Sequence, residues 1–265
     1  MSRTRLVALD VDGTLMSYDG VISAEVRQGV AALVAADVHV VVATGRAVHS
    51  ATSVAADLGL TTGYVVASNG AVTARLDPDE PGGYAVTRSV TFDPGPALRT
   101  LALELPDALF AVEDLGVGFL VSQPFPPNEL TGEQTVATLE ELASAPATRV
   151  VVRAPDSTPE EFHALVERVG LREVTYAVGW SAWLDLTPGG VTKASALEDV
   201  RRELGVEPYE TLALGDGEND VEMLRWAACG VAMGHASDVV RSAADEVTGT
   251  IEDDGAVEVL RRVLR

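Results

Sequence analysis

Residues 7–16, VALDVDGTLM, join an apolar strand directly to two aspartates, Asp10 and Asp12. Side chains two residues apart on an extended backbone point to the same side, so both carboxylates face one region. Two like charges this close repel each other unless positive charge lies beside them. A buried strand that ends in this way predicts a charged site at its carboxyl end, with a cation in it.

The segments around this stretch alternate apolar strands with helical patterns. Residues 23–36, SAEVRQGVAALVAA, have the spacing of a helix with Ser23 as its N-cap, and residues 38–44, VHVVVAT, predict a second buried strand. The same alternation returns at 193–204, KASALEDVRREL, and 211–216, TLALGD. Continuous apolar strands separated by helices predict an α/β fold with a Rossmann-like, doubly wound parallel sheet as its core.

The middle of the chain has a different pattern. Strands such as TRVVVRA (148–154) and SAWLDLT (181–187) alternate apolar and polar residues, which is typical of an antiparallel sheet. The Pro- and Gly-rich segments FDPGP (92–96) and TPGG (187–190) bracket this region. We therefore predict a core of residues 1–91 and 189–265 that is interrupted by an inserted α+β domain, residues 92–188.

Composition restricts the partners and the compartment. The net charge of −21, from 40 acidic and 19 basic residues, excludes a general electrostatic surface for nucleic acid or anionic membrane. No apolar run reaches 18 residues and no secretory segment precedes the acidic stretch, so we expect a soluble, cytoplasmic protein. The single cysteine, Cys229, excludes an intramolecular disulfide and fits a reducing compartment. The sequence leaves the oligomeric state open.

Lysine is almost absent from the chain. Of the 19 basic residues only Lys193 is a lysine, and the rest are arginines. Either a compact ammonium is required at this position or one lysine happened to remain, and composition alone leaves both explanations open.

Polar residues follow several predicted core strands at the point where each strand ends. Because ligands bind at the carboxyl ends of the strands in an open parallel sheet, we expect these residues to share one site. The site would contain Asp10, Asp12, Thr44, Gly45, Arg46, Asp216, Asn219 and Asp220, with Lys193 at the start of the helix before the last of these strands. So many carboxylates cannot all be ionised without a cation, and an all-oxygen set favours Mg²⁺. With that ion and Lys193, the site would attract phosphate despite the acidic surface.

The segments DVDGTL, TGR, the isolated lysine and GDGEND occur in the order and spacing of the four motifs of haloacid dehalogenase-like (HAD) hydrolases. The downstream VEMLRWAACGVAMGHASDVVRSAADEVTG and the early ASNGA resemble the Cof-type phosphatases of that superfamily, in which a cap domain lies between the second and third motifs. The resemblance covers both core segments. In the insert it extends only to position, size and the order of strands and helices.

The resemblance implies a role for each matching residue. Asp10 would be the nucleophile that forms an aspartyl-phosphate, and Asp12 the acid/base that protonates the leaving alcohol and then activates water. Mg²⁺ would be bound by the Asp10 carboxylate, the Asp12 carbonyl oxygen and Asp216, while Asp220 would orient a metal-bound water or Lys193. Arg46 is a candidate substrate contact. The residues that would hold the phosphoryl group are Val11, Thr44, Gly45, Lys193 and Asn219.

One residue departs from the resemblance. His235 occupies the position in GVAMGHAS where these proteins more often have asparagine, and we assign it no role from the sequence. The remaining histidines and the aromatic strand near the second linker are expected to be structural or solvated, namely His39, His49, His163, Trp180, Trp183 and Asp185.

The sequence thus predicts a Mg²⁺-dependent phosphatase whose partner is a small phosphorylated metabolite, with a sugar phosphate favoured by resemblance. Two alternatives stay open: a phosphotransferase such as a phosphohexomutase, and a non-catalytic sugar-phosphate sensor. The substrate itself cannot be deduced, because specificity in such enzymes comes from the cap and the motifs say nothing about residues 92–188.

Overall fold

The computed structural model describes residues 4–127, 129–155, 157–169, 174–178 and 182–265. The chain forms two compact units: the first runs up to Arg88 and resumes at Thr192, and the second is Ser89–Val191. The predicted domain boundaries, 91/92 and 188/189, lie three residues from these points. The role of the second unit as a cap stays a prediction.

The described residues contain fourteen strands and nine α-helices. The strands are β1 (Leu6–Leu9), β2 (His39–Ala43), β3 (Gly63–Ala67), β4 (Val72–Leu76), β5 (Tyr84–Ser89), β6 (Leu109–Asp114), β7 (Gly118–Val121), β8 (Glu133–Val136), β9 (Val150–Arg153), β10 (Val174–Val178), β11 (Trp183–Pro188), β12 (Thr211–Gly215), β13 (Cys229–Ala232) and β14 (Glu246–Val247). The helices are α1 (Ala24–Ala35), α2 (Val48–Asp57), α3 (Gly95–Glu104), α4 (Leu139–Leu142), α5 (Pro159–Val169), α6 (Lys193–Glu203), α7 (Val221–Trp226), α8 (Asp238–Ala243) and α9 (Gly255–Val263). None of these helices is long and apolar enough to cross a membrane.

The first unit is built on an eight-stranded sheet in the order β14-β13-β12-β1-β2-β3-β4-β5. The strands from β14 to β3 are parallel, and β4 pairs antiparallel with β3. Strand β1 is central and wholly buried: Val7 and Leu9 pack into the apolar core on one face of the sheet, and Leu6 and Ala8 into the core on the other. The prediction of a doubly wound α/β core is confirmed.

The second unit contains a six-stranded sheet in the order β10-β11-β9-β6-β7-β8. Its pairs are antiparallel except β7 with β8, which is parallel. An apolar core that includes Leu98, Phe110, Val150 and Phe162 joins this sheet to helices α3 and α5. The inserted unit is therefore an α+β domain, as predicted.

Candidate active site

Asp10 follows β1 and is almost wholly buried. Its backbone N–H donates to the carbonyl of Leu214 in β12 (3.0 Å), and its Oδ1 accepts a hydrogen bond from Lys193 Nζ (2.6 Å). Burial raises the pKa of Asp10 to about 7, and the neighbouring Asp220 charge adds to the rise, while Lys193 opposes it. The carboxylate is therefore short of positive charge even with the ammonium beside it.

Lys193 is the first residue of α6 and is wholly buried. Its Nζ lies 2.6 Å from Asp10 Oδ1 and 2.7 Å from Asp220 Oδ1. Burial lowers the pKa of the ammonium, but the two carboxylates outweigh burial and the pKa is raised, so Lys193 stays charged at neutral pH. This narrow position between two carboxylates suits a compact ammonium better than a planar guanidinium.

The start of α6 reaches the site because the turn after β3 leaves room for it. Gly70 has φ +102°, and a Cβ atom there would lie 2.2 Å from the carbonyl oxygen of Thr192, the N-cap of α6. Ser68 and Asn69 also adopt left-handed conformations, with φ of 49° and 53°. This strained turn and the absence of a side chain at Gly70 together allow the close approach that delivers Lys193.

Asp220 has both carboxylate oxygens engaged. Oδ1 accepts from Lys193, while Oδ2 accepts from the backbone N–H groups of Asp216 (3.1 Å) and Gly217 (2.9 Å). Burial raises the pKa of Asp220, although Lys193 opposes the rise. Of the two predicted roles for Asp220, the geometry matches the one in which it orients Lys193, and it also shapes the loop that carries Asp216.

Asp216 is held by residues of the DVDGTL segment. Its Oδ1 accepts a hydrogen bond from the hydroxyl of Thr14 (2.7 Å), and a Cβ atom on Gly13, which has φ +79°, would lie 2.3 Å from its Oδ2. Burial raises the pKa of Asp216 to about 6, and the Asp10 charge adds to the rise. The sequence reasoning did not give Thr14 this role; its place directly after the aspartate pair was the available signal.

The donor set fits a divalent cation. One carboxylate oxygen each of Asp10, Asp216 and Asp220 lies within 4.8 Å of the other two, and burial together with the neighbouring negative charges raises the pKa of Asp10 to about 7 and that of Asp216 to about 6. A hard cation with oxygen ligands would supply the missing charge. The Asp12 side chain is not in this cluster; its predicted role as a ligand concerns its carbonyl oxygen and stays a prediction.

Asp12 is about half exposed and is bound by Arg46. The guanidinium donates from Nη2 to Asp12 Oδ1 (2.6 Å) and from Nε to Oδ2 (2.9 Å), and its Nη1 donates to Ser50 Oγ (3.3 Å). The hydrogen bonds that Arg46 donates to Asp12 raise the pKa of the guanidinium against the effect of burial. Arg46, predicted as a substrate contact, therefore holds the predicted acid/base in this structure.

The predicted phosphate-binding residues lie in the same unit. Thr44 is buried and its Oγ1 accepts the N–H of Arg46 (3.2 Å), while the Val11 carbonyl accepts the N–H groups of residues 14–16. Asn219 donates from Nδ2 to Asn69 Oδ1 (2.9 Å), and a Cβ atom on Gly45 would lie 3.1 Å from that oxygen. Asn69 thus orients Asn219, and the ASNGA segment was the only signal of this position in the sequence. The contacts of these predicted residues with a phosphate group stay predictions.

The other residues singled out in the sequence either have neighbours of their own or lie outside the described residues. Asp185 pairs with Arg149 (2.7 Å) and Trp183 contacts Phe125 edge-on, all within the second unit. Burial lowers the pKa of His39, and Arg5 adds to the effect. Both ring nitrogens of His49 are buried, with no hydrogen-bond partner in the described part of the chain. Trp180 and the side chain of His163 lie outside the described residues.

A sequence profile of haloacid dehalogenase-like hydrolases matches residues 7–90 and 127–260. The chain belongs to this family. It is similar to the 5-amino-6-(5-phospho-D-ribitylamino)uracil phosphatase YitU of Bacillus subtilis (strain 168), with 28% identity across 97% of this chain and 96% of that protein. It is also similar to a phosphoglycolate phosphatase of Natronomonas pharaonis, with 30% identity across 97% of this chain and 96% of that protein.

Solved structures agree with this assignment. The HAD subclass IIB sugar phosphatase BT4131 has a TM-score of 0.81 to this chain at 25% identity, with 98% of each chain covered. BT1666 from Bacteroides thetaiotaomicron, another HAD phosphatase, has a TM-score of 0.79 at 28% identity, with 98% of this chain and 95% of that one covered. The protein is a HAD phosphatase of the Cof type, as the sequence predicts.

The raised carboxyl pKa values predict how stability depends on pH without a cation. In the folded protein Asp10 and Asp216 titrate at about 7 and about 6, whereas an unfolded chain titrates near 3.9. The folded state therefore binds more protons between about pH 4 and 7, and these two groups make it less stable as pH rises through that window. Urea unfolding in the presence of a chelator should show that the free energy of unfolding falls as pH rises through this window. The fall should be smaller in Asp216→Asn. An equal pH dependence in the wild type and the variant would contradict the raised pKa of Asp216.

The contact between Gly13 and Asp216 predicts a steric effect with a matched control. Gly13 and Gly20 have nearly the same φ, +79° and +82°, but a Cβ atom on Gly20 would meet nothing within 4 Å. We expect Gly20→Ala to lower the free energy of unfolding by about 1 kcal/mol, through backbone strain alone. Gly13→Ala should cost about 3 kcal/mol or more because it also displaces the Asp216 carboxylate. Equal losses in denaturant titrations would show that the close contact is unimportant.

Proposed function

We propose that this phosphatase hydrolyses a small phosphomonoester in a Mg²⁺-dependent reaction through an aspartyl-phosphate on Asp10. The observation that carries the proposal is the position of Asp10: it is buried at the carboxyl end of β1, 2.6 Å from a buried ammonium and within one acidic cluster with Asp216. A nucleophilic carboxylate needs such compensation before a phosphate dianion can approach it.

The carboxylates of the cluster would have different roles in binding the ion. Asp10 and Asp216 would be its carboxylate ligands and the Asp12 carbonyl oxygen a third ligand, as the family resemblance implies, while Asp220 holds Lys193 and two backbone N–H groups. A bound Mg²⁺ would supply the positive charge that keeps both carboxylates ionised at neutral pH and offsets charge on the phosphoryl oxygens.

In the first step, an oxygen of Asp10 forms a bond to phosphorus as the bond from phosphorus to the leaving oxygen breaks. Asp12 gives its proton to that oxygen, so the product leaves as an alcohol. In the second step, water attacks the phosphorus, Asp12 takes a proton from the water, and the bond from phosphorus to Asp10 breaks to release inorganic phosphate. Arg46 would hold Asp12 in its ionised form, which is the form that takes the proton from water in the second step.

The substrate we propose is the phosphomonoester of a polyhydroxylated small molecule, with a sugar phosphate favoured. YitU is named for a phosphorylated ribityl compound and BT4131 is a sugar phosphatase, which supports the phosphate of a polyhydroxy chain, whereas the Natronomonas pharaonis relative is named for phosphoglycolate. The net charge of −21 supports a small diffusible partner rather than nucleic acid or an anionic membrane.

Replacement of the nucleophile is the direct test. Asp10→Asn should lower kcat by about 10⁴-fold or more, because an amide cannot form the acyl-phosphate bond. Asp37→Asn makes the same chemical change at an exposed residue whose left-handed backbone (φ 58°) tolerates asparagine, and it should leave kcat unchanged. Phosphate release from a panel of phosphorylated metabolites, with Mg²⁺ or with a chelator, measures both variants. Undiminished release by Asp10→Asn would contradict the proposed nucleophile.

Reaction in ¹⁸O-labelled water separates hydrolysis from the alternatives. Hydrolysis through Asp10 places one labelled oxygen in the released phosphate. A phosphohexomutase would instead pass unlabelled phosphoryl groups to a second hydroxyl, and a sensor would bind the ester without turnover. Either result would replace the proposed reaction.

The ion pair between Arg46 and Asp12 predicts an effect on catalysis without a large effect on stability. Because both side chains are partly exposed, Arg46→Ala should change the free energy of unfolding by less than about 1 kcal/mol. It should lower kcat by at least about tenfold, because Asp12 is no longer held in position. Arg46→Lys keeps the charge but loses the two-point contact, so its kcat should lie between those of the wild type and Arg46→Ala. Equal kcat values in all three proteins would refute this role.

A further inference from the structure

His235 lies in a tightly held loop beside the Asp216 loop. The N–H of Met233 donates to the carbonyl of Gly215 (3.0 Å), which directly precedes Asp216, and the N–H of Gly234 donates to the carbonyl of Gly249 (2.9 Å). A Cβ atom on Gly234 would lie 2.8 Å from the carbonyl oxygen of Thr248, so the backbone is closely packed at this point. The imidazole therefore extends from a backbone whose position relative to Asp216 is set by hydrogen bonds.

One contact determines which ring nitrogen carries the proton. Nδ1 of His235 accepts a hydrogen bond from the backbone N–H of Ile251 (3.2 Å). An imidazole nitrogen that accepts a hydrogen bond has no proton, so the neutral ring carries its proton on Nε2. In this orientation Nε2 is a donor, and it has no free lone pair with which to bind a metal ion directly.

Nε2 lies next to the carboxylate that we assign to the cation. It lies 3.5 Å from Asp216 Oδ2, is buried, and has no hydrogen-bond partner in the part of the chain that the structure describes. A shortening of about 0.6 Å would make this contact an ordinary hydrogen bond to a carboxylate. The other oxygen of Asp216 already accepts from Thr14, and Tyr18, whose hydroxyl also hydrogen-bonds the Asp216 carboxylate, packs its ring edge-on against the imidazole at 6.4 Å between centroids.

We propose that His235 is a positioning residue for the divalent cation: its Nε2–H donates to Asp216 Oδ2 and, together with Thr14 on Oδ1, orients the Asp216 carboxylate for the ion. The inference rests on the proposed function, because it requires that Asp216 binds the cation. Partners that hold a ligating carboxylate in this way tune metal affinity although they do not touch the metal.

The chemistry of the position explains what a histidine adds. In an asparagine the side-chain oxygen reaches about as far as Nδ1 of histidine and can accept the N–H of Ile251, but no donor reaches the place of Nε2. In a glutamine the amide nitrogen reaches about as far as Nε2, at the expense of the acceptor near Ile251. Asparagine therefore keeps only the contact with Ile251, and glutamine keeps only the contact with Asp216.

Three substitutions test the proposal on the full chain, with MgCl₂ alone as the probe and titration calorimetry at about pH 8 as the measurement. His235→Asn and His235→Phe have no hydrogen-bond donor at the place of Nε2, so we expect them to raise the dissociation constant for Mg²⁺ by about tenfold. His235→Gln should stay within about threefold of wild type. Phenylalanine also keeps the aromatic contact with Tyr18, and circular dichroism on each variant checks that the fold is intact.

The relative Mg²⁺ affinities of the variants decide whether the proposal holds. Wild-type affinity in His235→Asn, or in all three variants, would overturn the proposal, as would a loss in His235→Gln equal to that in His235→Phe. If the wild-type protein itself binds no Mg²⁺, the proposed function fails and the role of His235 fails with it. If the wild type binds Mg²⁺ but the Mg²⁺ affinities of the variants do not follow the expected order, only the role of His235 is overturned.

A spectroscopic measurement tests the tautomer without any metal. In the ¹⁵N-histidine NMR spectrum of the metal-free protein, the signals of His235 are those that disappear in His235→Asn, among the four histidines of the chain. We expect an unprotonated Nδ1 and a protonated Nε2, and a shift of the Nε2 signal when MgCl₂ is added. A ring protonated on Nδ1, or an Nε2 signal that ignores Mg²⁺ while the protein binds it, would overturn the proposal.

Discussion

The contact between the Lys193 ammonium and the carboxylates of Asp10 and Asp220 is the interaction on which the site depends. All three groups are buried, and both distances are below 2.8 Å. Two carboxylates in this position would repel each other and lose their hydration without compensation, and one ammonium balances only one of them. Because Asp216 adds a further negative charge, the cluster needs a second cation. The chain thus builds a site whose charge deficit matches a divalent ion.

The absence of side chains at a few glycines makes this crowding possible. Gly70 admits the start of α6, Gly13 admits Asp216, and a Cβ atom on Gly215 would lie 2.5 Å from Cγ of Asp220. At Gly13 and Gly215 a carboxylate occupies the volume that a methyl group would take, and at Gly70 the Thr192 carbonyl group does. The glycines of the motifs therefore act sterically as much as conformationally, and they set distances between charges that the strands alone would not bring so close.

Much of the fold and the list of site residues could be predicted from the chain, because the apolar strands end in polar segments whose carboxyl ends must meet at one edge of a parallel sheet. The partners of those residues could not. Thr14 binds Asp216 across 202 residues and Asn69 binds Asn219 across 150. Arg46, a candidate substrate contact, binds Asp12, and the role proposed for His235 depends on Ile251 and Asp216, the neighbours of its two ring nitrogens. Such pairings depend on loop conformations that no local pattern encodes.

The sequence by itself determined the class of the fold, the family and the set of charged residues at one end of the sheet, since strand periodicity and motif order are local properties of the chain. Only the tertiary structure decided which oxygen meets which nitrogen. It gave both oxygens of Asp220 hydrogen-bond donors, left Asp10 and Asp216 short of positive charge, and placed Nε2 of His235 3.5 Å from Asp216 Oδ2. The physical reason is range: hydrogen bonds and charge compensation change over tenths of an ångström, and those distances are set by packing between segments far apart in the chain.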